Sequence, residues 1–262
     1  MPVYTDQLGN TVEISSPPQR IVSLVPSQTE LLYHLGLGER VCGITKFCVH
    51  PEPWFRSKTR VGGTKSVKPA IIEQLDPDLV LANKEENSKD QVAALQKHYP
   101  VWVSDVHDLD SALDMISRVG TIADAGEKAG QIIMQIQSGF NQLETLHPAR
   151  KPKTAYLIWR NPYMTIGSGT FIHDMLHRCG LENIFGDHNR YPEIGVEAIR
   201  QKNCELLLLS SEPYPFKENH IAELQQQLSG TSIILVDGEM FSWYGSRLLE
   251  APGYFGQLLK KI

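Results

Sequence analysis

No apolar run in this chain is long enough to span a bilayer. The longest, around Leu206–Leu209, is strand-sized, where a spanning helix needs about 20 residues. Basic side chains are outnumbered, 25 against 30 acidic for a formal charge of −5, and no Lys/Arg stripe marks a nucleic-acid surface. Cysteine is scarce, and Cys42, Cys48, Cys179 and Cys204 form no short-spaced framework, so free or buried thiols are expected. The opening residues Met1–Asp6 carry neither the basic start nor the apolar stretch of a secretory leader. The chain as written is therefore cytoplasmic or has already lost a leader. Gly62-Gly63-Thr64-Lys65 lacks P-loop spacing, and Thr165–Gly169 is not a nucleophile elbow. No two candidate metal ligands show zinc-finger spacing.

What is present is an α/β pattern that occurs twice. Strand-like apolar runs lie at Arg20–Ser27, Val41–Thr45, Asp78–Asn83 and Val101–Val106, and again at Thr154–Trp159, Cys204–Ser211 and Ser232–Asp237, with helical periods between. Between the two sets, Ala129, Ile132, Ile133, Ile136, Phe140, Leu143 and Leu146 recur at three- and four-residue steps. They predict one amphipathic helix over Gly126–His147, about 33 Å long at ~1.5 Å per residue. The expected fold is α/β: two Rossmann-like lobes joined by a long interlobe helix, with parallel sheets and a ligand cleft between the lobes. The expected divisions are 1–110, 111–150 and 151–262. Tyr4–Ile14, with Gly9-Asn10 at its centre, reads as a hairpin closed by Ser15–Pro18. Ser27 and Glu30 have the spacing of a capping box at the first helix. A short helix is expected over Pro69–Leu75, and Thr170 or Ser168 near a later helix cap.

In doubly wound sheets, ligands sit beyond the carboxyl ends of the strands. That rule selects loops carrying Phe47, Trp54, Tyr163, Met164, Tyr214, Met240, Phe241, Trp243 and Tyr244. Apolar walls of this kind suit a bulky, partly planar ligand. His50, Glu85, Glu86 and Arg247 supply polar caps, Arg247 as a carboxylate or phosphate holder or as a surface salt bridge. Cys48, His50 and His107 stand on loops expected to open on one side of the first lobe, where they could ligate a transition metal or simply line the site. His173 and His177 share a helical turn without the Glu of a zinc protease helix, so a solvated face is expected.

Several stretches are similar to one family: Arg20–Leu31, Pro77–Val80, Ser168-Gly169 leading to Cys179–Phe185, and Phe241–Leu249. The chain resembles the helical-backbone periplasmic binding proteins of vitamin B12 and iron-siderophore ABC importers, closest to the cobalamin-binding ones. The resemblance implies Phe47 and Tyr191 as retained ligand aromatics, Met164 in place of a phenylalanine, and Thr64 and Asn83 where tryptophans stand. It also implies permease docking through Glu197 and, one turn from the matching Ala70, through Glu73. The implied protein is a non-enzymatic, monomeric, extracytoplasmic binder of cobalamin, haem or a ferric siderophore, with no intrinsic cofactor and an ABC permease as partner. Two other readings remain at this level: a cytoplasmic metal or tetrapyrrole binder without a permease, and a chelatase-like enzyme using His50.

Overall fold

Alternation around Gly9-Asn10 produces the expected hairpin, with β1 (Val3–Thr5) antiparallel to β2 (Thr11–Glu13). Asp6 organises its turn, its carboxylate accepting from the Leu8 and Asn10 amides at 2.9 and 2.7 Å. The computed structural model describes residues 1–15 and 17–262. Ser16, within the Ser15–Pro18 stretch expected to close the hairpin, lies outside the described residues.

The chain forms two units, Met1–Val106 with Asp110–Gln135 and Tyr244–Arg247, and His107–Leu109 with Ile136–Trp243 and Leu248–Ile262. The first continues through β3 (Ile21–Ser23), α1 (Pro26–His34), β4 (Val41–Ile44), α2 (Glu52–Ser57), β5 (Thr59–Arg60), β6 (Gly62–Gly63), β7 (Ser66–Val67) and α3 (Pro69–Leu75). Then come β8 (Leu79–Asn83), α4 (Lys89–Leu95), β9 (Val101–Ser104) and α5 (Leu109–Ile122), followed by α6 (Gly126–Glu144), which belongs to the first unit up to Gln135 and to the second from Ile136. Five strands form a parallel sheet in the order β5-β4-β3-β8-β9. Every residue of β3, β8 and β9 is buried, as expected for strands covered on both faces. The chain winds outward from β3 to β4 and then returns to the other side of β3 with β8. The loops after β3 and β8 therefore flank the switch point where such sheets bind ligands.

One expectation fails here. Ser27 does not cap α1. The helix begins at Pro26, whose fixed φ suits the first helical position, and Val25 precedes it without a side-chain cap. Ser27 and Glu30 lie inside the helix, and Glu30 is committed elsewhere. The long helix matches its pattern: Ala129, Ile132, Ile136, Phe140 and Leu143 are buried along α6, while Ile133 is half-buried and Leu146 is exposed beyond its end. α5 approaches α6 closely because Gly120 has no side chain; a Cβ there would lie 2.3 Å from that of Ala129.

The second unit contains β10 (Lys153–Trp159), β11 (Tyr163–Thr165), α7 (Phe171–Arg178), β12 (Glu182–Asn183), β13 (Glu193–Ile194) and α8 (Val196–Gln201). β14 (Leu206–Ser210), α9 (Glu218–Gln227), β15 (Ser232–Val236), α10 (Gly238–Ser242), a 3-10 turn at Ser246–Leu249 and α11 (Ala251–Leu259) complete the chain. Its sheet is mixed rather than parallel throughout. β12, β14 and β15 join β10 in parallel fashion, whereas β10, β11 and β13 run antiparallel in turn. Thr170 caps α7 as expected, its Oγ1 accepting from the His173 amide at 3.3 Å. Among the described residues, no helix is long and apolar enough to cross a membrane.

Candidate functional site

In the first unit, the carboxyl-end loops are pinned by side-chain amides. Asn83, at the end of β8, is buried. Its Oδ1 accepts from the Glu85 and Glu86 amides at 2.8 and 3.0 Å, and its Nδ2 donates to Ser104 Oγ at 3.0 Å. Asn87 Oδ1 accepts from the Asn83 amide at 2.7 Å, while Asn87 Nδ2 donates to the carbonyls of Leu24 and Thr64 at 3.3 and 3.0 Å. Asn83 thus shapes the loop that carries the glutamates, and burial removes it from direct ligand contact. Thr64 stays half-buried at the tip of the β6–β7 hairpin. Lys65 Nζ donates to the Glu85 carbonyl, tying hairpin and loop together.

The loop after β4 separates two adjacent side chains. Phe47 is 50% exposed, whereas Cys48 is 0% exposed. The thiol packs between Thr29 Oγ1 at 3.1 Å and Thr45 Oγ1 at 3.2 Å, and burial pushes its pKa up. A thiol held protonated and out of reach is neither a metal ligand nor a ligand contact, so Cys48 is corrected to a core residue. Among the described residues no group of three or more His, Cys, Asp and Glu side chains is placed to hold a metal ion. Cys48, His50 and His107 therefore do not assemble as a metal site. His107 is exposed and lies 3.4 Å from the Asp108 carboxylate.

Of the two roles open to Arg247, the structure shows the ion pair, buried rather than at the surface. Arg247 sits in the 3-10 turn, 9% exposed, and forks onto Glu30, with Nε–Oε2 at 3.1 Å and Nη2–Oε1 at 2.7 Å. The charge expected to cap a ligand is engaged inside the unit. Next to it, the Tyr244 hydroxyl donates to Glu86 Oε1 at 2.9 Å, and burial raises the phenol pKa well above its ordinary value. Glu85 and Glu86 remain half-buried on the rim.

In the second unit, a register shift between Leu157 and Trp159 re-aims the end of β10. Trp159 emerges 41% exposed and pairs across the strands with half-buried Met164. Residues directly opposite share a face, so the two form one apolar platform. Tyr214 meets the Trp159 ring edge-on at 5.8 Å. Arg160 braces the platform from behind, Nη2 bonding both oxygens of Glu223 at 2.8 and 2.6 Å. Hydrogen bonding to Tyr214, Glu223 and Tyr163 pushes its guanidinium pKa up. Tyr191 is half-buried under Arg190, whose guanidinium carbon lies 5.6 Å from the ring centroid.

Phe241 and Trp243 are core residues. Phe241 is 0% exposed among Tyr156, Tyr254 and Phe255, with centroids at 5.1, 6.3 and 4.6 Å. Trp243 is buried and donates through Nε1 to Glu212 Oε1 at 3.1 Å. Aromatic content alone marked both as wall residues; packing decides otherwise. Conversely, Trp159 escaped selection because it ends an apolar strand. The available signal was the Arg160-Asn161-Pro162 turn directly after it. His173 and His177 point to separate partners, Asn183 Nδ2 at 3.0 Å and Lys151 Nζ at 3.3 Å. Burial and then Lys151 lower the His177 pKa. Glu73 on α3 and Glu197 on α8 are exposed, the latter paired with Arg200.

Comparison with known proteins follows this geometry. A family model described as periplasmic binding protein matches residues 21–231. A vitamin B12-binding protein of Yersinia pestis is 27% identical over 197 residues, covering 73% of this chain and 69% of its own. The crystal structure of the periplasmic vitamin B12-binding protein BtuF of Vibrio cholerae superposes with a TM-score of 0.79 at 24% identity, over 94% of this chain and 98% of that one. A periplasmic haem-binding protein from Pseudomonas aeruginosa gives 0.80 at 18% identity, over 92% of each chain. At these identities the structural likenesses speak for the fold.

Proposed function

The chain belongs to the periplasmic binding protein family, and we propose that it captures a preformed metal chelate with an extended apolar face: a corrinoid, haem or ferric siderophore. The carrying observation is that ring surface stays exposed on the ligand side of both sheets, at Phe47 and at Trp159 beside Met164. Large apolar side chains held in water at the carboxyl ends of strands make sense as stacking surfaces for a flat ligand. The vitamin B12-binding relative supports the same ligand class.

Binding without turnover fits the family, and the one cysteine on the candidate loops, Cys48, is a buried thiol whose pKa is raised by burial rather than an activated nucleophile. The working partner is an ABC permease on the extracytoplasmic side, read through exposed Glu73 and Glu197, with the protein acting as a monomer. Titration of the protein with haemin, cyanocobalamin and a ferric siderophore, followed by absorbance and thermal melting, tests the reading. One chelate at ~100 times its dissociation constant is expected to stabilise the protein by about 2.7 kcal/mol. Phe47→Ala and Trp159→Ala are each expected to weaken it by about 1–3 kcal/mol. Melting curves unmoved by every chelate would contradict the proposal.

A further inference from the structure

Three lysines follow the first unit's strands on the ligand side: Lys46 after β4, Lys65 in the β6–β7 hairpin and Lys84 after β8. Two are committed. Lys84 Nζ pairs with Asp105 Oδ2 at 2.6 Å, and Lys65 Nζ donates to the Glu85 carbonyl. Lys46 differs. Among the described residues its ammonium meets no carboxylate but hangs over the exposed Phe47 ring, 4.9 Å from the centroid.

The pair is built into position. The Lys46 amide donates to the Gly62 carbonyl at 2.8 Å, and the Phe47 amide donates to Thr45 Oγ1 at 3.3 Å. Gly63 lies beneath both side chains; a Cβ there would stand 3.3 Å from the Phe47 ring and 3.4 Å from Lys46 Cε. The backbone is fixed, the ring and the ammonium stay in water, and the cation lies over an exposed aromatic ring. Arg247, the other cation expected to meet a ligand anion, is engaged by Glu30 inside the unit.

We infer that this rim recognises a chelate bearing an anionic group, such as a carboxylate, at the edge of its apolar face, with Lys46 as the residue that reads the charge. The inference rests on the chelate-binding proposal and narrows it. A tetrapyrrole with propionates or a carboxylate-bearing siderophore meets the requirement, whereas a periphery of neutral carboxamides leaves the ammonium without a partner. An ammonium on the solvent side pairs with a carboxylate at modest strength that falls with salt.

The test uses matched pairs, haemin with its bis-amide and cyanocobalamin with its monocarboxylic acid, titrated into the full chain. In each pair that binds, the acid is expected to bind roughly fivefold tighter at low salt. That ratio is expected to approach one in Lys46→Gln, persist in Lys46→Arg, invert in Lys46→Glu and shrink as salt is added. Equal affinity within the pairs would overturn the inference while leaving the chelate proposal intact. A ratio unchanged in Lys46→Gln would also overturn it, because another group would then read the charge. Failure of all four compounds and of a carboxylate-bearing ferric siderophore to bind would overturn both.

Discussion

At the level of single residues, the buried ion pair of Glu30 and Arg247 is one that the sequence hides. Glu30 and Arg247 lie 217 positions apart and reach each other only after folding. In the sequence, Glu30 imitates a capping residue and Arg247 an anion holder. Breaking a buried pair leaves an uncompensated charge, so Arg247→Met is expected to cost about 3–5 kcal/mol. Glu30→Leu combined with Arg247→Met is expected to recover most of it; urea unfolding of the two variants measures both. Glu212 gives a pH-dependent case. Burial, reinforced by the charges of Glu239 and Asp237, raises its pKa above the ordinary carboxylate value of 4.5, against hydrogen bonds from Ser242 and Trp243. The folded state therefore holds that proton more tightly than the unfolded chain. The resulting stabilisation is full below pH 4.5 and is lost as pH rises through the folded value. Glu212→Gln is expected to melt higher than wild type at pH 8 and alongside it at pH 4. A lower melting point at pH 8 would show that the carboxylate's own hydrogen bonds outweigh its desolvation.

At the level of elements, periodicity is the readable signal and termini are not. α6 and the hydrophobic strands lie where their patterns place them, because burial of one face or of two sets those patterns directly. The start of α1 was misread because two residues with capping chemistry follow a proline that begins the helix one position earlier. The antiparallel edge of the second sheet was missed for a related reason: β11 and β13 are only three and two residues long, too short for a period. The β6–β7 hairpin depends on one backbone conformation. Gly62 has φ +113°, and a Cβ there would approach the Ser66 carbonyl oxygen to 2.4 Å. Gly62→Ala is expected to destabilise the protein by about 1–3 kcal/mol and to weaken chelate binding by shifting the support of Phe47. Chemical denaturation and the haemin titration read the two effects separately. Unchanged stability would show that the hairpin relaxes freely.

At the scale of the whole molecule, the duplicated α/β pattern and the family motifs were legible along most of the chain, and the family match over residues 21–231 bears out the family, with Phe241–Leu249 lying beyond the matched span. The candidate ligand-facing residues were less legible. Loop composition selects the carboxyl-end loops of each sheet, but only packing separates exposed Phe47 and Trp159 from buried Cys48, Asn83 and Phe241. Hydrogen exchange with and without the tightest-binding chelate tests the central claim most directly. Slowed exchange is predicted at 45–50 and 62–66 in the first unit and at 158–165 in the second. Protection confined to the separate groove lined by Val67, Glu73, Gln91, His98 and Tyr99 would contradict it.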